Sequence, residues 1–214
     1  MGRWEPGADS RLREAAMELF LDRGFEQTMV ADIAERAGVT ARTFFRHFTD
    51  KREVLFDGSP DLLERSLAAL ESAPATTSVL DAVALALDAV AGLIGGDREY
   101  SKQRQAVIMA NPELQERELI KLAHMSGALA AGLRRRGAEA SEAELAAEAG
   151  LAVYRVAYAQ WVDAAEDGDL RDVIRESMAR LRSLTAGATP DQPSTAPDSD
   201  TVGTGVLQGV ERPS

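Results

Sequence analysis

The sequence predicts an all-α protein, a small three-helix unit followed by a larger helical domain. Alanine and leucine dominate residues 61–184 while aromatic residues make up only 5% of the chain, a balance that favours helices over sheets. Apolar residues recur at three- and four-residue spacing, and the periodic stretches are bounded by Ser, Thr, Asp or Asn before and Gly after. With 214 residues, 45% of them hydrophobic, the chain can bury a sizeable core and suits two compact units.

The first helix is expected to start from a cap at Asp9 or Ser10 and to run to about Arg23, where Gly24 ends it. Leu12, Ala16, Leu19 and Phe20 make its apolar stripe, and Phe25 folds back onto it. Thr28 is the expected N-cap of a second helix whose inward face is Val30, Ile33, Ala34 and Ala37. Thr40 starts a third helix, Ala41 to about Phe48. Only Gly38 and Val39 separate the two, which is the short glycine-containing turn of a helix-turn-helix. Asp50 is expected to cap a fourth helix at Lys51, broken at Gly58-Ser59-Pro60 because proline lacks a backbone donor. It resumes at Asp61 and stops near Pro74.

Five further helices are expected. The first two span Ser78 to Ile94 and Asp97 to about Ala110. A long one is opened by Asn111-Pro112 and closed by Arg134, Arg135, Arg136 and Gly137, with cations at the negative end of the helix dipole. The next begins at the capping box Ser141-x-x-Glu144 and reaches about Glu166. The last starts at Asp169 and carries Leu170, Val173, Ile174, Ser177, Leu181 and Leu184. Beyond Gly187 the composition cannot offset the entropy of ordering, so residues 187–214 are expected to be a disordered tail.

Chemistry is sparse. There is no cysteine, and His47 and His124 are the two histidines, with no HExxH, GxSxG, P-loop or GxGxxG arrangement around them. A binding protein rather than an enzyme is expected, with no metal and no cofactor. No run of eighteen apolar residues occurs and the amino terminus lacks a secretory h-region, so a soluble cytoplasmic protein with no membrane partner is expected.

The net charge of −11 is unevenly spread. Residues 1–56 hold nine Lys and Arg against ten Asp and Glu, whereas residues 57–214 hold fifteen against twenty-five. Between positions 36 and 52, Arg36, Arg42, Arg46, Lys51 and Arg52 face only Asp50. A local positive patch on a helix-turn-helix is the electrostatic signature of DNA binding. In the third helix Phe44 and Phe48 can plug into the first two, leaving Ala41, Arg42, Thr43, Phe45 and His47 outward. Arg42 and Thr43 can reach base edges, and arginine matches guanine with two hydrogen bonds worth roughly 1–3 kcal/mol of discrimination. Lys51 at a helix amino terminus suits a phosphate.

The stretch Thr28-Met-Val-Ala-Asp-Ile-Ala-Glu-Arg-Ala-Gly-Val-Thr-Ala-Arg-Thr-Phe-Phe-Arg-His-Phe48, with Asp50-Lys51, resembles the DNA-binding domain of the tetracycline-repressor (TetR) family. The resemblance implies DNA contacts at Thr28, Thr40, Ala41, Arg42, Thr43, Phe45, His47 and Lys51, with Thr28 on a phosphate. Position 45, often tyrosine in that family, is phenylalanine here and cannot donate a hydroxyl hydrogen bond. The implied division is a flexible arm (1–8), a helix-turn-helix DNA-binding domain (9–56), a helical ligand-binding and dimerisation domain (57–186) and the tail (187–214). Gly2-Arg3-Trp4-Glu5-Pro6, Arg104-Gln105-Ala106-Val107-Ile108 and Asn111-Pro112-Glu113-Leu114-Gln115-Glu116-Arg117-Glu118-Leu119 resemble mycofactocin-type regulators whose ligand domain is of the acyl-CoA-binding type.

That second resemblance implies a fatty acyl or similar amphipathic effector. The residues independently offer polar and aromatic groups on otherwise aliphatic helices, Gln103, Arg104, Met109, His124, Tyr154, Tyr158 and Trp161, as ligand candidates or as core filling. One reading head makes few base contacts, whereas two about 34–36 Å apart read successive major grooves, so a homodimer on double-stranded operator DNA is expected. Ala146, Gly150, Ala157 and the Leu170 to Leu184 stripe on the last two helices are its expected interface. The function that follows is a ligand-responsive transcriptional repressor. The rival readings are a DNA-binding or architectural regulator without an effector, and a helical small-molecule carrier.

Overall fold

The computed structural model describes residues 7–165 and 168–186, and among these the regular structure is entirely helical. The expected arm, apart from Gly7 and Ala8, the expected tail and the expected end of the eighth helix at Glu166 lie outside the described residues. In chain order the helices are α1 (Ala8–Arg23), α2 (Val30–Arg36), α3 (Ala41–His47), α4 (Ser59–Ser72) and α5 (Val79–Ile94). They continue as α6 (Arg98–Met109), α7 (Pro112–Arg135), α8 (Ala140–Asp163) and α9 (Leu170–Ala186), with a 3-10 turn at Glu53–Phe56 between α3 and α4. No single described helix is long and apolar enough to cross a membrane.

Two cores hold the molecule together. The first joins α1, α2, α3 and the 3-10 turn around Leu12, Ala16, Phe20, Phe25, Ile33 and Phe44, and it also takes in Val107, Ile108 and Leu114 from α6 and α7. The second is built by α4, α5, α7, α8 and α9 around Leu70, Val83, Leu87, Leu129, Leu133 and Trp161. Fully burying one such large apolar side chain contributes roughly 1.5–3 kcal/mol.

Helix starts show where local chemistry was read correctly and where it was not. Ser78 and Asp97 cap as expected, their side chains accepting from the amides of Asp81 and Tyr100. At α1 the cap position is Gly7, and Asp9 lies inside the first turn, paired with Arg13 at 3.2 Å. Thr28 does not cap α2; Met29 occupies that position and its amide donates to the Asp32 carboxylate at 3.2 Å. At α8 the cap is Glu139 rather than Ser141, its carboxylate accepting from the amides of Ser141 and Glu142 at 2.8 and 3.3 Å. Asn111 precedes Pro112 as expected, but its side-chain amide donates back to the Val107 carbonyl at 2.7 Å instead of capping α7.

The expected fourth helix from Lys51 is replaced by the 3-10 turn. Asp50 still accepts from the Arg52 and Glu53 amides at 2.7 and 3.3 Å, so its capping chemistry holds while the element is only four residues long. The expected break is present, between the 3-10 turn and α4, which resumes at Ser59 rather than Asp61; Pro60 lies in the first turn of α4, where a proline removes no intrahelical hydrogen bond.

Candidate nucleic-acid interface and regulatory cluster

The α2–α3 corner is set by Gly38, whose φ of +68° lies in the left-handed region that glycine enters without a side-chain penalty. The Val39 amide then donates to the Ala34 carbonyl at 2.9 Å, closing the end of α2. Thr40 caps α3 by accepting from the Thr43 amide at 3.1 Å, and the two threonine hydroxyls lie 3.0 Å apart. Phe44 and Phe48 are buried with ring centroids 5.4 Å apart, fixing the inner side of α3.

The outer side is open. Ala41, Arg42, Phe45, Arg46 and His47 are exposed and Thr43 is half-buried. Phe45 is 58% exposed and stands edge-on to Phe44. Arg42, Thr43, Phe45 and Arg46 line a shallow concavity of about 510 Å³. Arg46, absent from the family-implied contact set, stands one helical turn beyond Arg42 and lies 3.4 Å from the His47 ring nitrogen Nε2. The four-residue spacing of the two arginines was the signal for it.

The protein neutralises much of its own positive patch. Arg36 pairs with Glu18 at 2.7 Å and Arg52 with Asp50 at 2.8 Å. The hydrogen bond from Arg52 is the main reason the Asp50 carboxyl is held below its ordinary range. Arg42 has no hydrogen-bond or ion-pair partner among the described residues.

Thr28 and Lys51, which the resemblance implies as DNA contacts, are both engaged within the protein in this structure. Thr28 is 1% exposed and its hydroxyl lies 2.8 Å from the Gly24 carbonyl, which it donates to. The Lys51 ammonium donates to the carbonyls of Phe25, Thr28 and Glu26 at 2.7, 3.1 and 3.3 Å and sits 4.2 Å from the Phe25 ring centroid. Both side chains tie down the α1–α2 loop. Lys51 is not at a free helix amino terminus, since no helix starts there.

The second cluster lies where α6, α7 and α8 meet the 3-10 turn. Arg104 donates from Nε to the Leu55 carbonyl at 2.8 Å and from Nη1 to Glu118 at 3.1 Å, with its guanidinium 5.0 Å from the Phe56 ring centroid. Burial works against its charge, but negative charge around it, foremost the Glu118 carboxylate at ordinary pH, prevails and its pKa lies above the usual arginine value. Tyr158 donates to the Ser101 carbonyl at 3.2 Å and stacks on Tyr154 with centroids 5.8 Å apart. Burial pushes both phenols above their ordinary pKa, so they stay neutral donors. Alongside, Glu53 accepts from Arg117 at 2.5 and 2.8 Å and from Lys121 at 3.0 Å. Burial raises its pKa, but the two cations prevail and hold it below the usual glutamate value.

Of the ligand candidates, Arg104, Tyr154 and Tyr158 are brought together. Trp161 adjoins them, 1% exposed, its indole donating to the Gly168 carbonyl at 2.7 Å. The Gln103 amide is turned onto Glu99 of its own helix at 3.1 Å. Met109 and His124 are exposed and do not join the cluster. Glu118 and Ser101 were missed, because a charged residue and a serine on amphipathic helices carry no signal until their neighbours are known.

Residues 12–57 match the family model described as bacterial regulatory proteins, tetR family, and residues 77–186, half of the chain, match the MftR C-terminal domain. The chain belongs to the TetR family. Among curated relatives of this TetR-family chain, TcmR of Streptomyces glaucescens is 44% identical over 109 residues, 51% of this chain and 47% of TcmR. MftR of Mycobacterium tuberculosis, named for regulation of mycofactocin biosynthesis, is 29% identical over 115 residues, 54% of this chain and 58% of MftR. The matched stretches thus span about half the length of these relatives, which are transcriptional regulators and not enzymes. The structure of FadR from Bacillus subtilis, in complex with stearoyl-CoA, superposes with a TM-score of 0.58 at 21% identity, covering 80% of this chain and 96% of FadR.

The small residues expected at the interface of this TetR-family chain face inward instead. Ala146 and Ala157 are buried, and a Cβ on Gly150 would lie 2.2 Å from Val83 Cγ1, so this stripe sets the close approach of α8 to α5. Leu170, Ile174 and Met178 are buried in the second core, Leu181 is partly buried against it, and Leu184 is 76% exposed. The outer side of α8 presents Leu145 and Val156, 73% and 54% exposed, with Ala149 half-buried and Ala152 and Ala159 exposed between and beyond them.

Proposed function

We propose that the chain is a ligand-responsive transcriptional repressor, acting in the cytoplasm, that binds a palindromic operator as a homodimer and is released by a small amphipathic or acyl-type effector. The observation that carries the DNA reading is the outer side of α3, where Arg42 stands exposed and without a partner among the described residues on a helix fixed by Phe44 and Phe48. Thr40, Ala41, Arg42, Thr43, Phe45 and His47 then meet the major groove, with Arg42 on a guanine edge and Phe45 against a thymine methyl. Arg46 adds a phosphate contact. Lys51 and Thr28 act one step back, by fixing the loop against which α3 is braced.

Dimerisation uses the outer side of α8. Leu145, Ala149, Ala152, Val156 and Ala159 recur at alternating spacings of four and three, a seam that a symmetry-related copy of α8 can pack against. Arg104, Glu118, Tyr154 and Tyr158 supply the polar groups that orient a ligand in an otherwise aliphatic domain, and the stearoyl-CoA bound by FadR supports an acyl-type effector. A regulator without an effector has one observation in its favour, the close packing of Trp161 and Tyr158. Selection of bound sequences from random duplex DNA tests the reading. A recovered palindrome, lost with Arg42→Ala and weakened by an acyl compound, is the expected result; failure to enrich any sequence refutes it.

A further inference from the structure

We propose that Arg104 is the residue through which occupancy of the regulatory domain reaches the reading head, and that the ligand group it answers to is an anion, a carboxylate or phosphate on an amphipathic molecule entering between α6, α7 and α8. This rests on the effector reading above and names its chemistry. Arg104 belongs to α6 but touches three other elements. Its Nε holds the Leu55 carbonyl of the 3-10 turn at 2.8 Å, its Nη1 holds Glu118 of α7 at 3.1 Å, and it lies beside Tyr154 and Tyr158 of α8. Its side chain is 19% exposed and that of Glu118 is 26% exposed, so the pair sits at the edge of the cluster rather than sealed within it.

A guanidinium is a rigid planar fork, and it pairs best with a carboxylate or phosphate that takes two of its N–H groups at once. A ligand anion arriving beside Glu118 competes for that fork, and Glu118 repels it unless the fork turns towards the newcomer. Turning the plane misaligns Nε with the Leu55 carbonyl, because one planar group cannot keep both directions. The turn that carries Leu55 continues through Phe56, against which the same guanidinium is stacked. Glu53, two residues before Leu55, stays fixed by Arg117 and Lys121, so release at Leu55 lets the turn pivot about Glu53 and re-aim α3. A neutral amphipath of the same length has no group to draw the fork and leaves the Leu55 bond in place.

The test uses the full chain and three probes of equal chain length: laurate, lauroyl-CoA and 1-dodecanol. Direct binding is measured by calorimetry, and release of the selected operator by fluorescence anisotropy. Laurate or lauroyl-CoA is expected to bind the unmodified protein and to weaken operator binding by roughly tenfold or more, within the usual range of coupling between sites, while dodecanol does not. Which of the two acts separates a carboxylate from a phosphate source. Arg104→Gln is expected to lose anion binding by roughly tenfold or more. Arg104→Lys keeps the charge but not the fork, and is expected to retain anion binding while losing most of the release, a split that a merely structural role would not produce. Arg65→Gln, an exposed cation on α4, is the control with neither effect. Absence of anion binding to the unmodified protein, equal action of dodecanol, or an unchanged response in Arg104→Lys overturns the proposal. The repressor reading fails separately, if no duplex is enriched or no effector of any class alters operator affinity.

Discussion

Removing Arg42 separates base reading from charge neutralisation. Of the five cations between positions 36 and 52, Arg36 and Arg52 are paired with carboxylates and the Lys51 ammonium is enclosed by three carbonyls. Arg42 and Arg46 remain as exposed cations on the reading side, four for a dimer. Counterion release at about 0.9 per neutralised phosphate then gives a log K against log salt slope of about −2 with Arg42 on bases and Arg46 on phosphates, and of about −4 if all four cations neutralise phosphates, shallow for an operator-binding dimer. If Arg42 holds a guanine edge at roughly 1–3 kcal/mol, Arg42→Ala in both heads costs about 2–6 kcal/mol, or roughly 30- to 10⁴-fold in affinity. Anisotropy titrations of the selected operator across a series of salt concentrations measure both numbers. Arg42→Ala should lose affinity and half-site preference together with little change of slope, whereas Arg46→Ala should flatten the slope by about two with the preference intact. A slope clearly steeper than about −4 for the unmodified protein, or retention of specific binding by Arg42→Ala within roughly threefold, would refute the reasoning.

Three further outcomes follow from particular contacts. Gly150→Ala gains about 1 kcal/mol of helix propensity but drives a methyl into Val83 at an overpacking cost of roughly 1–3 kcal/mol, so thermal unfolding should show a lower Tm; Gly127→Ala on α7, with nothing within 4 Å, should raise it by a few degrees. Because the Glu53 pKa is lowered in the folded state, its stabilising contribution is present above the unfolded value of about 4.3 and is lost as pH falls through the folded one; Glu53→Gln should therefore destabilise the protein at neutral pH and remove that part of the acid transition in denaturant titrations. Val156→Glu on the outer side of α8 should yield monomers in analytical ultracentrifugation without lowering the helical content seen by circular dichroism, and a dimer as tight as the unmodified one would displace the interface from α8.

The helix inventory and the orientation of α3 were legible in the sequence because they depend on nearest neighbours. Phe44 and Phe48 at four-residue spacing after Thr40 determine which side of α3 turns inward, and the structure puts both at 3% exposure or less. Thr28 and Lys51 were not legible in the same way. A threonine before a helix can accept from that helix or donate to the preceding one, and the choice depends on where the end of α1 lies in space. The carbonyls that enclose Lys51 are 23 to 26 residues away, beyond any local pattern. Small residues at helical spacing raised a similar ambiguity: Ala146, Gly150 and Ala157 require that another helix come close, but spacing does not say whether it is α5 or a second subunit. Met109 and His124 were singled out by residue type, and type alone does not give direction.

The first core crosses the boundary expected from the sequence at Phe56. Val107, Ile108 and Leu114 are buried in the first core, Leu55 hangs from Arg104, and Glu53 is gripped by Arg117 and Lys121. By contrast, none of the described residues of α4, although it follows the 3-10 turn directly in the chain, belongs to that core. A disturbance confined to α4 therefore meets the reading head through the chain at Asp57 and Gly58, the Ser59 hydroxyl on the Phe56 carbonyl at 2.6 Å, and its packing against α7, without a side chain in that core. One at the α6–α7 corner reaches it through three buried apolar side chains and two polar attachments. Packed interfaces shift between discrete arrangements rather than deforming smoothly, and the core shared by the corner and α3 couples the two mechanically. In the proposed dimer, even a small rotation of the head would be multiplied by its distance from the dimer axis. The acidic remainder of the chain offers DNA no compensating attraction when the heads are misplaced. On the proposed reading, a head whose Arg36, Lys51 and Arg52 are engaged within the protein is switched off by a change in angle alone.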